Sequence, residues 1–154
     1  MVKVEIVEGM PKRNDGMEVG PFGDYQVGSG RIYTRGIGPC LAIALYDPEK
    51  KQGALAHISG ARNHITIPEA LYPENIAFTL ASHFEKSNYL EAVLAGESLR
   101  NDKISDIVKR DLAYLHIPIN GEDLGDSGSH QGREVHLDCQ TGLVTIYRLP
   151  PLQF

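Results

Sequence analysis

Residues 2–7, VKVEIV, alternate apolar and charged side chains with the period of two that a half-buried strand requires. The stretch 9–23 that follows carries Gly, Pro and Asn with no period, which predicts a mobile loop. From residue 25 to 58, short apolar runs are punctuated by Gly28, Gly30, Gly36, Gly38 and Gly53. The last two runs, 40–46 and 53–58, flank the turn signal Asp47-Pro48 and are expected to pair as a hairpin. Beyond a polar loop, Pro73 stands where a first helical turn tolerates proline, and Ile76, Leu80 and Phe84 form one stripe with Ala77 and Ala81, predicting a helix over 73–86. YLEAVLAG, 89–96, reads as a strand, and Ile104, Ile107, Val108, Leu112 and Leu115 recur at helical spacing up to about His116. A glycine and serine loop over 121–133 leads to REVHLD and LVTIYRL, which flank the turn CQTG as a final hairpin. With no internal repeat or heptad run, the pattern predicts an α+β fold: one domain of mixed, mostly hairpin-linked sheets packed in layers with two main helices.

Composition narrows the function classes. A formal charge of −5 over 154 residues leaves no basic excess to neutralise a phosphate backbone or an anionic membrane surface, so nucleic acid is not expected as a partner. The longest apolar stretch, CLAIALY at 40–46, is far shorter than the roughly 20 residues that cross a bilayer. No membrane insertion is expected. The charged, alternating start lacks the apolar run of a secretory signal, which predicts a cytoplasmic protein. Two cysteines, Cys40 and Cys139, are too few for a disulfide framework and are expected to remain thiols.

Candidate chemistry gathers around Cys40. If Tyr46 closes the hairpin opposite Gly53, His57 falls opposite Ala42, and Cys40 lies diagonal to His57 on the same face, about 7 to 8 Å away at the backbone. A slip of one residue would put the two on opposite faces. Gly36 and Gly38 can take positive φ and bring backbone close to a substrate carbonyl, as an oxyanion cradle formed with Pro39 and Cys40 requires. A thiol attacking an amide needs a base, an acid for the departing ammonia and N–H donors for the oxyanion, and one histidine can fill both proton roles. Thr34 carries a hydroxyl that can hold the other imidazole nitrogen without the strong pKa rise a carboxylate would cause. A resting imidazolium at His57 would in addition acidify the Cys40 thiol. Spacing alone leaves the plainer reading open, in which Cys40 fills the core, His57 is a satisfied core histidine and Thr34 is a strand residue chosen for β-branching.

A wider set of segments carries more information. GDYQV at 23–27, TRGIGPC at 34–40, YDP at 46–48 and GALAH at 53–57 resemble, in order and spacing, the chemoreceptor glutamine deamidase family CheD. EAVLAG at 91–96, IPINGEDLG at 117–125, GREVHLD at 132–138 and TGLV at 141–144 resemble its later segments. The resemblance implies a CheD-like deamidase domain over 23–154, preceded at 1–22 by an N-terminal strand and flexible loop beyond the family's usual short start. It implies that Cys40 is the nucleophile, His57 the base and Thr34 the third member of the site, with no cofactor. It implies a chemoreceptor cytoplasmic domain as protein substrate and a CheC-like chemotaxis phosphatase as a partner. The chain departs from the family where Leu-Gly-Ser-Cys is Ile37-Gly38-Pro39-Cys40, where Gly-Gly-Ala is Gly96-Glu97-Ser98, and where the asparagine-bearing helix start is NDKISDIV. Proline removes the backbone donor just before the nucleophile and shifts the oxyanion load toward Cys40 N–H. Two rivals follow: the same chemistry on another protein, as in necrotizing-factor toxins, and a binding adaptor whose turnover Pro39 has abolished.

Other signals carry less. Cys139 is expected as an exposed, idle turn thiol. His64, His83, His116, His130 and His136 never fall in paired ligand spacing, and a set of Cys40, His57 and His64 is a poor zinc site. GSGRIYTRGIG lacks the Lys-Ser/Thr ending of a phosphate loop, so nucleotide binding is unsupported. Asp123 and Asp126, near Ser127 and Ser129, are expected as solvated turn residues.

Overall fold

A computed structural model of the chain describes residues 1–12, 15–21, 23–59, 67–97, 104–125 and 132–150. In chain order the regular elements are β1 (Lys3–Glu8), β2 (Met17–Val19), β3 (Asp24–Gly28), β4 (Arg31–Ile37), β5 (Leu41–Asp47), β6 (Gln52–Ile58), α1 (Pro73–Ala81), β7 (Glu91–Gly96), α2 (Ile104–Tyr114), β8 (Ile119–Leu124), β9 (Gly132–Asp138) and β10 (Leu143–Leu149). The strands form two mixed sheets of five, ordered β1-β10-β9-β4-β2 and β3-β6-β5-β7-β8. The α+β class with two main helices is the one the hydrophobic pattern predicts. Among the described residues, no helix is long and apolar enough to cross a membrane.

The β5–β6 hairpin sets the register of the second sheet. Asp47 Oδ1 accepts the N–H groups of Glu49 at 2.9 Å and Lys50 at 3.0 Å, closing the turn behind Pro48. The strands then pair with Tyr46 opposite Gly53 and Ala42 opposite His57, the register expected from the sequence. Residues of β5 are buried on both faces, which explains its unbroken apolar run. Leu41, Ile43 and Leu45 join Ile76 and Leu80 of α1 and Val108 and Leu112 of α2 in one core. Ala42, Ala44 and Tyr46 join Ile32, Val135, Leu137 and Ile146 of the first sheet in the other. The layers are therefore sheet, sheet and helices, with the second sheet in the middle.

Three elements differ from expectation. Within the stretch 9–23, expected as loop, Met17–Val19 pair in parallel with β4, with Val19 opposite Thr34. Three residues are too few to show a period, and neighbouring strands decide their conformation. The residues of β8, INGEDL, have poor strand propensity but line up in parallel beside β7. The first helix stops at Ala81 and tightens into a 3₁₀ turn, Ser82–Phe84, which still buries Phe84.

Candidate active site

Thr34 and His57 belong to different sheets, and their side chains meet between them. Thr34 Oγ1 lies 2.8 Å from His57 Nδ1 and 3.1 Å from the carbonyl oxygen of Val19. A carbonyl only accepts, so the single hydroxyl proton goes to Val19, and Oγ1 accepts from Nδ1–H. This fixes the imidazole tautomer with the proton on Nδ1 and the lone pair on Nε2. Both side chains are fully buried, and Nε2 makes no hydrogen bond among the described residues. A buried acceptor left without a donor costs about 1–3 kcal/mol of stability, a cost that a partner arriving at Nε2 would offset.

Burial pushes the His57 pKa down from 6.5 to about 4. The ring is neutral at pH 7. The expected acidification of Cys40 by a resting imidazolium is therefore not what this environment provides; the neutral Thr34 orients the ring without charging it.

Cys40 is half-buried against the inter-sheet core, immediately before β5 and two residues from Ala42, the partner of His57. The turn holding it comes from a bulge in β4, where pairing with β9 shifts register between Thr34 and Ile37 and Gly36 takes φ +74°. Gly38 N–H donates to Gly36 O at 3.1 Å, and Pro39 has no N–H to offer. On its far side, the Cys40 carbonyl accepts Glu97 N–H at 2.8 Å. Gly96, to which the sequence assigned no role in the candidate site, packs against the Cys40 turn. It has φ +125°, and a Cβ there would come within 2.3 Å of the Cys40 carbonyl oxygen and 2.6 Å of Ile37 Cγ2. Glu97 follows with φ +62°, unusual for a side-chain-bearing residue, and its carboxylate accepts Ser105 N–H at 2.9 Å near the start of α2. The only sequence signals were Gly96 at a strand end and the departure from Gly-Gly-Ala.

Two discounted residues sit differently from expectation. Cys139 is fully buried, not exposed: the backbone of its turn faces the loop, with its N–H on Gly30 O at 3.0 Å, while the thiol points into the inter-sheet core. Asp123 is buried, not solvated, because Arg133 Nε at 2.9 Å and Arg148 Nε at 3.0 Å both donate to it. Those arginines hold its carboxyl below the usual range against the opposing effect of burial. Among the described residues no His, Cys, Asp and Glu cluster could hold a metal ion. His64, His130, Asp126, Ser127 and Ser129 lie outside the described residues.

No family model matches the chain. Curated relatives do. It is 32% identical over 152 residues to the probable chemoreceptor glutamine deamidase CheD of Pyrococcus horikoshii, an alignment covering 83% of this chain and 90% of that protein. It is 30% identical to the protein of that name from Desulforamulus reducens, covering 89% and 93%, and 33% identical to that from Clostridium kluyveri, covering 75% and 82%. Similarity of this extent, together with the segments around residues 34–57, places the chain in the chemoreceptor glutamine deamidase CheD family.

Proposed function

We propose that the protein hydrolyses glutamine side-chain amides to glutamate in the cytoplasmic domain of a chemoreceptor, with Cys40 as nucleophile, His57 as base and Thr34 as the group that orients it. The names of the relatives supply the substrate class. The observation that carries the mechanism is the Thr34–His57 hydrogen bond, which leaves Nε2 as the basic nitrogen in the row diagonal to Cys40.

Nε2 takes the thiol proton as the Cys40 sulfur bonds to the carboxamide carbon. Gly38 N–H is taken up by Gly36 O and Pro39 has none, so the developing oxyanion is left to the remaining backbone N–H groups of the Gly36 to Cys40 turn, that of Cys40 foremost. Nε2 then returns the proton to nitrogen, the C–N bond breaks, and ammonia leaves a thioester on Cys40. Water attacks the thioester, giving its proton to Nε2, and glutamate departs as the thiol re-forms. Side chains and water supply every atom and proton. A chemotaxis role also suits a cytoplasmic location and a CheC-like phosphatase as a partner.

The test is ammonia release from purified receptor cytoplasmic domains, with peptide mass spectrometry to locate glutamine converted to glutamate. Wild-type protein should act, and Cys40→Ser and His57→Ala should both be inactive yet folded. Receptor binding by the wild-type protein without conversion would favour the adaptor reading instead.

A further inference from the structure

We propose that Asp24 is a positioning residue of this site, acting on His57 through one peptide unit and Thr34. The proposal rests on the reading of His57 as the base. Asp24 opens β3 directly opposite His57 in the β3–β6 register. Its Oδ2 accepts Gly20 N–H at 3.0 Å, and its Oδ1 accepts Tyr25 N–H at 2.8 Å. Gly20 N–H and Val19 C=O are the two ends of a single planar peptide. The Val19 end accepts the Thr34 hydroxyl at 3.1 Å, and Thr34 accepts Nδ1–H at 2.8 Å. An unbroken chain of donors and acceptors therefore runs from a carboxylate to the imidazole, with every proton pointing toward Asp24.

Two consequences follow. First, Asp24 clamps the end of β2, a three-residue edge strand whose ladder alone is a weak hold on the carbonyl that orients Thr34. Secondly, hydrogen bonds in a chain polarise one another: a carboxylate drawing on Gly20 N–H makes Val19 C=O a better acceptor, and Thr34 Oγ1 in turn a better acceptor for Nδ1–H. The benefit is largest when Nε2 takes up the thiol proton and the ring becomes positive. A carboxylate in direct contact with Nδ1 would raise the proton affinity of the resting ring; one held at the distance of a peptide and a hydroxyl orients it with a smaller effect of that kind.

The experiment compares wild type, Asp24→Ala and Asp24→Asn by nitrogen NMR of the His57 ring, with kcat and KM for receptor deamidation measured on the same samples. In Asp24→Ala the Val19–Gly20 peptide loses its anchor. The Nδ1–H form should give way to a tautomer mixture, and kcat should fall about 10-fold with KM unchanged, the scale of one lost hydrogen bond. Asp24→Asn keeps an oxygen acceptor for Gly20 N–H but not the charge, so the tautomer should persist while kcat falls by a smaller factor. If Asp24→Ala folds with wild-type ring signals and kcat, the proposal is wrong; where that variant does not fold, a wild-type kcat in Asp24→Asn overturns it equally. A wild-type protein that shows the Nδ1–H tautomer and its dependence on Asp24, but releases no ammonia, would leave the relay standing and remove the deamidase reading instead.

Discussion

Thr34 on the first sheet and His57 on the second are joined at 2.8 Å across the inter-sheet core, so the orientation of the proposed base depends on how the two sheets pack. Removing the hydroxyl should loosen the ring without removing the base. Thr34→Ala is expected to slow ammonia release by about 10-fold to 100-fold, against complete loss in His57→Ala. Thr34→Ser, which keeps the oxygen, should recover most of the rate. A Thr34→Ala protein as inactive as the His57 variant, yet folded, would show that the hydroxyl does more than orient.

The two thiols should separate sharply. Cys40 is half-buried at a turn, whereas burial, with Asp138 nearby, pushes the Cys139 thiol up to about 11. Alkylation of the native protein at neutral pH, followed by peptide mapping, should label Cys40 and leave Cys139 untouched until the protein is unfolded. Labelling of Cys139 first would contradict both its burial and the role assigned to Cys40.

The pH dependence follows from His57 being buried as a neutral ring. Its pKa in the folded state is about 4, against 6.5 for an unperturbed imidazole. Between these values the unfolded chain binds the extra proton and the folded one does not, so stability is full above pH 6.5 and declines as pH falls toward 4. The loss from this residue amounts to about 3 kcal/mol. Urea unfolding at several pH values should show the decline in wild type and a shallower one in His57→Gln. For the same reason the acid limb of kcat/KM should fall near pH 4. A limb near 6.5 would mean that the base is more solvated than this burial allows.

Gly96 should be sensitive to substitution because it packs directly against the Cys40 turn. A Cβ at this position would lie 2.3 Å from the Cys40 carbonyl oxygen, and φ +125° is itself strained for alanine. Gly96→Ala is expected to cost about 2 kcal/mol or more and to lower the rate of the folded fraction by displacing the Cys40 turn. Gly125→Ala is the control: φ is +88°, but nothing lies within 4 Å of the added carbon, so strain should appear in stability while the rate holds. Equal rates in both variants would detach the turn's position from catalysis.

The local parts of the site were legible because each rests on nearby residues. Asp47-Pro48 fixes the hairpin turn, the turn fixes the register, and the register puts His57 opposite Ala42. Gly36 marks the bulge for the same reason, since its φ is positive. What escaped depends on contacts between segments far apart in the chain. The strand Met17–Val19 exists because β4 lies beside it, and only that pairing brings the Val19 carbonyl to Thr34. Cys139 looked exposed because turns usually are, yet its side chain points inward beneath Gly53, where an added Cβ would sit 3.1 Å from the sulfur. Asp123 looked solvated in a glycine-rich stretch because Arg133 and Arg148, which bury and pair it, come from two later strands.

Pro39 gives the sharpest test of the oxyanion cradle. Gly38 N–H is turned back onto Gly36 O at 3.1 Å, and position 39 carries no N–H, so two successive residues before the thiol withhold their donors from a substrate. A missing oxyanion donor costs about 2.7 to 4 kcal/mol in the transition state, so Pro39→Ser should raise kcat by up to about 100-fold to 1000-fold if the restored N–H faces the oxyanion. Proline also limits the conformations of Gly38 and of the unfolded chain, and its loss should cost about 0.4 to 1 kcal/mol of stability. Faster ammonia release, with a small decrease in the urea midpoint, is the expected pair of results. A rate that is unchanged or lower in stably folded Pro39→Ser protein would mean that residue 39 does not face the oxyanion and that the cradle is built from the rest of the turn.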